Sequence, residues 1–427
     1  MLVGGLKKMF GRDNMGKGLG RIWLRLLVIF CVTIAVFVLL LTLVMFIPNS
    51  AIEENYNASM EVFEEEGDGW KRMFNNASGS MLDNLTDRII ICGTMVNEDC
   101  SAISNAMSGN GYSRYWHGYL VWVRPLLLVF TYLDIRYILM LVFMMLFAAN
   151  VLGMSRRLGA GVAYVYAFCL GLAYFIMVPW SLQFCEVFLI MMGTTLFFLR
   201  KYDVSWKISL VGEIFLVIGL VTQYLDFLTA PLLTLGLPLC VLLLINAAQM
   251  GGKAVLRSWA MAIHSCITWA FGWGVGWAAK WIVGTVVLGR DRGIIEDALS
   301  QAAFRVNGNA ASKASRVTAI VKNAYTMLPF SSVIGNGERL AMVLVGLVYL
   351  VVLVAVLALW VRRRKRGAWK AYLPVVFVAA LPVLWFVVMA QHSQVHFFYT
   401  YRIQMISYFG IMSSFVCCIR WKDGDVA

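Results

Sequence analysis

Two carboxylates stand one helical turn apart in Leu82-Asp-Asn-Leu-Thr-Asp87, and they have the plainest capacity for proton transfer in this chain. Asp87 is expected to act as a general base, with Asp83 as its neighbour. Cations and imidazoles recur at distant points of the sequence: Arg124, Lys280, His392, His396 and Arg402. Fixed positive charge of this kind stabilises a departing phosphate. Tyr115, Trp116 and Tyr399 offer faces on which a sugar ring can stack, while His117, Gln183, Tyr224, Asp226 and Gln391 add hydrogen-bonding capacity. One chemistry suits the whole set, namely transfer of a sugar from a lipid-linked phosphate donor. The attacking hydroxyl gives its proton to a carboxylate, and a good leaving group removes the need for a dedicated acid.

The elements that must position these residues are membrane helices. The 427 residues are 61% hydrophobic and 14% charged, with a mean hydropathy of +0.76, whereas soluble chains are roughly half apolar and a quarter charged. The expected fold is all-α and polytopic, with about ten spans, a large first extracytoplasmic loop and interfacial helices. A basic cytoplasmic leader occupies 1–21 and an uncleaved signal anchor 22–47, too long an apolar run for a cleaved signal. An extracytoplasmic loop follows at 48–135, then helices two to seven within 136–288. The spans there are expected near Arg136–Met154, Gly159–Val178, Phe184–Leu199, Ile208–Tyr224, Ala230–Ala248 and Trp259–Val287. A second outer loop covers 289–339. The last three spans, Leu340–Val361, Tyr372–Ala390 and Ile403–Ile419, fill 340–419 before a cytoplasmic tail at 420–427.

Charge supports this plan. More than half of the 36 Lys and Arg fall in inner segments, including Arg156, Arg157, Arg200, Lys201 and the run Arg362 to Arg366, while most of the 23 acids fall outside. Both termini are therefore expected in the cytoplasm and the protein in the plasma membrane. The formal charge of +13 reads as cytoplasmic anchoring, and no nucleic-acid partner is expected. The cytoplasmic loops are too short for a nucleotide-binding domain, which excludes an ATP-driven pump built from this chain alone. Gly11 to Lys17 matches the start of a phosphate loop, but Gly18 stands where Ser or Thr should bind magnesium.

Other features have plainer explanations. The acidic stretch from Glu53 to Asp68 reads as a solvated face. Tyr115 to Pro125 is apolar and aromatic but broken by Arg124 and Pro125, which suggests an interfacial or re-entrant helix. Ile294 to Val306 has the period of an amphipathic surface helix, whose basic residues serve either as an anchor or as a phosphate site. Asp134 and Arg136 read as a helix cap and anchor, Asp226 as a turn residue before Pro231, and Gly272 with Gly276 as a close helix contact. His392 and His396 are spaced as a metal pair but lack a nearby third ligand. Cys92 and Cys100 share a loop, where a disulfide is an open possibility. Asn57, Asn76 and Asn84 begin Asn-x-Ser/Thr sequons.

This layout of a first span, a large outer loop with a carboxylate, interfacial helices and many further spans resembles the GT-C superfamily of membrane glycosyltransferases. The phrases Leu82–Asp87, Tyr115–Pro125, Ser181-Leu-Gln-Phe184, Asp226-Phe-Leu-Thr229 and Gln391–Arg402 also look like a family of uncharacterised Gram-positive bacterial polytopic membrane proteins. The first resemblance implies a polyprenyl-phosphate-linked sugar as donor and a cell-surface glycan or glycolipid as acceptor. Some members use a divalent metal and others do not. Many carry paired acids close after the first span, where this chain has Glu53 and Glu54, so those two stand as alternatives to Asp87 for the base. A rival reading is a lipid or solute transporter, which needs a polar path to both faces. Only Glu213 and His264 lie well toward the inner side. A structural subunit of an envelope assembly complex is the third reading.

Overall fold

The computed structural model describes residues 12–67, 69–74, 77–327 and 368–419, with scattered positions between 347 and 358. The expected span Leu340–Val361 lies largely outside the described residues. The basic run Arg362 to Arg366, the sequon at Asn76, most of the leader and the tail lie wholly outside them.

The described chain is helical, with isolated bridges in place of strands. Its long helices are α1 (Arg12–Val44), α6 (Tyr132–Leu158), α8 (Leu182–Lys201), α9 (Ile208–Leu225), α10 (Leu232–Met250), α11 (Val255–Leu288) and α14 (Leu373–Val388). Shorter helices are α2 (Glu53–Glu66), α3 (Asn84–Cys92), α4 (Ala102–Ser108), α5 (Leu120–Leu126), α7 (Ala160–Leu172), α12 (Ile294–Asn307), α13 (Arg316–Met327), α15 (Ala390–Val395), α16 (Phe397–Thr400) and α17 (Met405–Cys418). Among the described residues six helical stretches are long and apolar enough to cross a membrane, so this is a membrane protein. The longest, Leu232–Leu288, comprises α10 and α11 and breaks at Gly251, where φ is +55°.

Two expected spans are shorter than a crossing requires. Gly159–Val178 is helical only as the 13-residue α7, because Tyr174 turns the chain at φ +50° and a 3₁₀ turn, Phe175–Trp180, follows. At 1.5 Å per residue α7 is about 20 Å long, against a hydrocarbon core of about 30 Å. Ile403–Ile419 resolves into the 14-residue α17, entered through a 3₁₀ turn at Tyr401–Gln404. The second span also begins earlier than Arg136. Thr131 and Asp134 form a reciprocal capping box that starts α6 at Tyr132, so Asp134 is the cap expected of it.

Burial separates rim from core. The most apolar stretches of α1 and α6 are only 17% and 22% buried, whereas those of α9 and α8 reach 61% and 67% and that of the α10–α11 stretch 89%. α10 is buried on every side from Leu232 to Ala247 and forms the centre, packed by α8, α11, α14 and α17. Against α11 lies α9, in a contact built on small residues. A Cβ at Gly219 would lie 2.3 Å from the Trp269 carbonyl, and one at Gly272 would lie 2.4 Å from the Leu216 carbonyl. A Cβ at Gly276 would lie 2.8 Å from the Gln223 side-chain oxygen, so the expected packing role of Gly272 and Gly276 holds.

At one end of the bundle the chain between α1 and α6 folds into a cap of short helices. Asn49 exchanges hydrogen bonds with Val96 (2.8 and 3.0 Å), Asn55 donates to the Leu127 carbonyl, and the Tyr132 amide donates to Ser59 Oγ. The helix expected over Tyr115 to Pro125 forms only over Leu120–Leu126, after His117 adopts φ +56°, and its Leu120, Val123 and Arg124 are buried. The expected amphipathic helix is α12, which packs on α11 and α15. Cys92 and Cys100 are both free thiols, and the Tyr56 hydroxyl donates to Cys92 Sγ at 3.8 Å.

Replacing Gly272 by Ala pushes a methyl group into the Leu216 carbonyl and should destabilise the protein by roughly 1–3 kcal/mol. Gly274 on the same helix has nothing within 4 Å, so Gly274→Ala should leave the thermal unfolding midpoint in detergent unchanged or slightly raised. Equal midpoints for the two variants would refute the contact.

Candidate functional site

Beneath the cap is a cavity of about 180 Å³, walled by seven parts of the chain. Trp70 comes from the turn after α2, and Asp83 and Thr86 from the start of α3. Tyr112, Arg114 and Tyr115 come from the segment before α5. Gln183 and Phe227 come from the adjoining ends of α8 and α9, and Arg305, His396 and Tyr399 from α12 and the α15–α16 turn.

Among the described residues Asp83 is the one carboxylate in this wall. It caps α3 by accepting the Thr86 amide at 3.1 Å. Burial raises its pKa to about 6, and the charge of Asp87 adds to the rise, against hydrogen bonds from Thr86 and the Trp70 indole. Arg305 supplies the facing cation. Its guanidinium donates to His392 Nδ1 at 2.7 Å and to the Tyr115 hydroxyl at 3.2 Å, and no carboxylate pairs with it among the described residues. Arg114 is different, because its charge is already paired with Asp297 at 2.8 Å. Its guanidinium lies about 5 Å from the ring centres of Tyr112 and Tyr115. The His396 ring stacks on Tyr399 with centres 5.2 Å apart. Burial and the nearby Arg305 charge hold the His396 pKa down at about 4, so this imidazole is neutral at pH 7.

His392 stands just behind the wall, and its protonation follows from its neighbours. Nε2 faces the Leu228 carbonyl at 2.7 Å, which only accepts, so Nε2 carries the proton. Nδ1 faces Arg305, which only donates. Burial and the Arg305 charge push its pKa well below the usual imidazole range. Both nitrogens of His392 are engaged, so its spacing from His396 does not make a metal pair. Among the described residues no three His, Cys, Asp or Glu side chains converge on a metal position.

Asp87 takes a different part from the catalytic one expected. It is fully buried and accepts four hydrogen bonds: from the Tyr132 hydroxyl (2.5 Å), Ser181 Oγ (3.1 Å), and the Leu182 (2.8 Å) and Gln183 (2.9 Å) amides. Those amides open α8 and have no partner within the helix. Burial pushes the Asp87 carboxyl up, while the Tyr132 hydroxyl, the Gln183 amide, Arg136 and the Leu182 amide pull it down. Behind it, Arg136 donates to the Tyr132 hydroxyl (2.7 Å) and pairs with Glu66 (2.9 Å). A carboxylate saturated in this way has no free lone pair for a substrate proton. The alternatives Glu53 and Glu54 are exposed in the first turn of α2 and line no part of the cavity.

Of the residues expected in a site, the structure gathers Asp83, Tyr115, Gln183, His396 and Tyr399, with His392 joined through Arg305. The others hold backbone or neighbouring side chains. Arg124 donates to the Ile47 carbonyl and Asn49, Lys280 to the Met107 carbonyl (2.7 Å), and Arg402 to the Ala173 and Gly79 carbonyls (both 3.1 Å). The Trp116 indole donates to the Gly276 carbonyl and the Tyr224 hydroxyl to that of Phe37. His117 lies between Tyr119 and the Tyr112 carbonyl, and burial lowers its pKa to about 3. Gln391 donates to Ser312. Asp226 accepts the Thr229 amide at 3.0 Å, which is the turn role foreseen for it, and burial raises its pKa to about 7. Trp70, Tyr112 and Arg114 are wall residues that no motif marks, whereas Arg305 is the basic residue of the amphipathic helix read at Ile294 to Val306.

No known protein family, no curated protein and no solved structure matches this chain.

Removing the Asp87 carboxylate strands two buried amides and two hydroxyls and leaves Arg136 short of negative charge. Asp87→Ala should therefore cost roughly 3–5 kcal/mol, measured by thermal or denaturant unfolding in detergent. Asp83→Asn keeps a good cap and should cost less than about 0.5 kcal/mol. The reverse order of the two effects would refute the structural role of Asp87.

Proposed function

We propose that this chain is a GT-C-like glycosyltransferase that moves a sugar from a polyprenyl-phosphate donor to a cell-envelope glycan or glycolipid. The observation that carries the reading is the pairing, in one cavity at the capped end of the bundle, of a carboxylate with a raised pKa and a cation that has no carboxylate partner among the described residues. Aromatic faces of Trp70, Tyr115, Phe227 and Tyr399 complete the wall. The capped end faces the outside of the plasma membrane, and both chain ends lie in the cytoplasm, as the distribution of Lys and Arg favours.

In this reaction Asp83 accepts the proton of the acceptor hydroxyl as its oxygen bonds to the anomeric carbon. The bond from that carbon to the donor phosphate oxygen breaks, and the electron pair leaves with polyprenyl phosphate. Arg305 stabilises the phosphate that departs. His396, neutral at pH 7, accepts or donates hydrogen bonds to the sugar, and Tyr115 and Tyr399 flank it. The cavity is smaller than the roughly 300 Å³ at which drug-sized pockets begin, so it suits one sugar and its phosphate, with the polyprenyl chain left in lipid.

Purified protein incubated with radiolabelled polyprenyl-phosphate sugars tests the proposal. Asp83→Asn should lower turnover by about 10²–10⁴-fold, the usual contribution of a general base, and Arg305→Gln by about 10²–10³-fold. Because Asp83 works as the carboxylate, turnover in the wild type should rise with pH and level off above about 6. Turnover unchanged in both variants, with no pH dependence near that value, would remove the assignment.

A further inference from the structure

The opposite end of the bundle holds a second and larger cavity, of about 640 Å³, between the ends of α6, α8 and α10. Its polar wall is Arg156, Arg157, Arg200 and Gln249, and its apolar wall includes Leu152 and Leu199. The arginines are not equivalent. Arg157 reaches across to the Leu199 and Tyr202 carbonyls and ties the end of α6 to that of α8. Arg156 and Arg200 are exposed, and neither makes a hydrogen bond or ion pair among the described residues. The nearest acid in sequence, Asp203, is exposed and holds the Ser205 amide.

Complementing two helix C-termini explains why cations sit here, but it does not explain a cavity between them. From that cavity an apolar stripe runs along α6 toward the other end of the bundle. Leu141, Met145, Ala148 and Leu152 are exposed at intervals of four, three and four residues, the period of one helix face. Clustered arginine charge at a membrane edge, continuous with a lipid-facing apolar track, matches both parts of an anionic phospholipid.

We propose that the Arg156–Arg157–Arg200 cavity binds the phosphate ester of an anionic lipid headgroup, with the acyl chains along the α6 stripe. The site is independent of the transferase reading, because it shares no residue with the Asp83 cavity. The ligand chemistry is a phosphate anion, and the stripe assigns its source to lipid.

The full chain, purified in a neutral detergent, is titrated with phosphatidylglycerol, with phosphatidylcholine and with inorganic phosphate, following the thermal unfolding midpoint. A ligand that binds only the folded state raises that midpoint. Phosphatidylglycerol should raise it by several degrees, and the other two should leave it within one. Arg156→Gln/Arg200→Gln should weaken apparent phosphatidylglycerol affinity about 25-fold, fivefold for each charge. Lys207→Gln, an exposed lysine outside the cavity wall, should leave it unchanged. An equal shift with phosphatidylcholine, or an affinity in the double variant within twofold of wild type, overturns the site. A shift produced equally by inorganic phosphate overturns the lipid assignment.

Discussion

The constraint on which the capped end depends is the set of backbone amides that open α8 in a low-dielectric setting. Leu182 and Gln183 begin a helix whose first N–H groups have no intrahelical acceptors, and their burial keeps water from satisfying them. Asp87 meets both, with Ser181 and the Tyr132 hydroxyl on its remaining lone pairs. Tyr132 in turn is held by Arg136, and Arg136 by Glu66. One carboxylate thus joins α2, α3, α6 and α8. Asp83 lies one turn before Asp87 at the start of α3, so the network that satisfies α8 also fixes where the cavity carboxylate stands.

The cations around this end divide by what they touch. Arg124, Lys280 and Arg402 each donate to backbone carbonyls left open where helices end or turn. A guanidinium or ammonium suits that work, since it brings several donors and no acceptor. Arg305 instead rests on an imidazole and a phenol and makes no ion pair with a carboxylate among the described residues. The same residue types therefore either clamp open carbonyl oxygens or, like Arg305, leave them alone and rest on side chains.

Much of the scaffold is legible in the sequence. The apolar runs locate α8, α9, α10, α11 and α14 within a few residues, whereas α1 begins at Arg12, inside the stretch read as a basic leader; the Thr131-x-x-Asp134 pattern is the capping box that starts α6. Where the sequence misleads, backbone geometry is the cause. Tyr174 is not glycine, yet it takes a positive φ that ends α7 after Leu172, and composition carries no warning of it. The site is legible only in part. Asp83, Tyr115, Gln183, His396 and Tyr399 stand out as ionisable residues, or as polar and aromatic residues near them, in a chain that is only 14% charged. Pattern alone cannot separate them from Asp87, Arg124 or Lys280, whose hydrogen bonds span 45 to 173 residues of chain. Arg305 meets Tyr115 across 190 residues and His392 across 87, so its place in the wall appears only once the helices pack.

The division of labour between Asp87 and Asp83 is tested most directly by hydrogen–deuterium exchange in detergent, comparing wild type with Asp87→Asn. Peptides covering 84–92 and 182–185 are the ones to follow. If the carboxylate holds α3 and the opening of α8 together, both segments are protected in the wild type and exchange at least about tenfold faster in the variant, while α10 is unaffected. Protection that is unchanged in both segments would show that Asp87 is not the support on which the cavity rests.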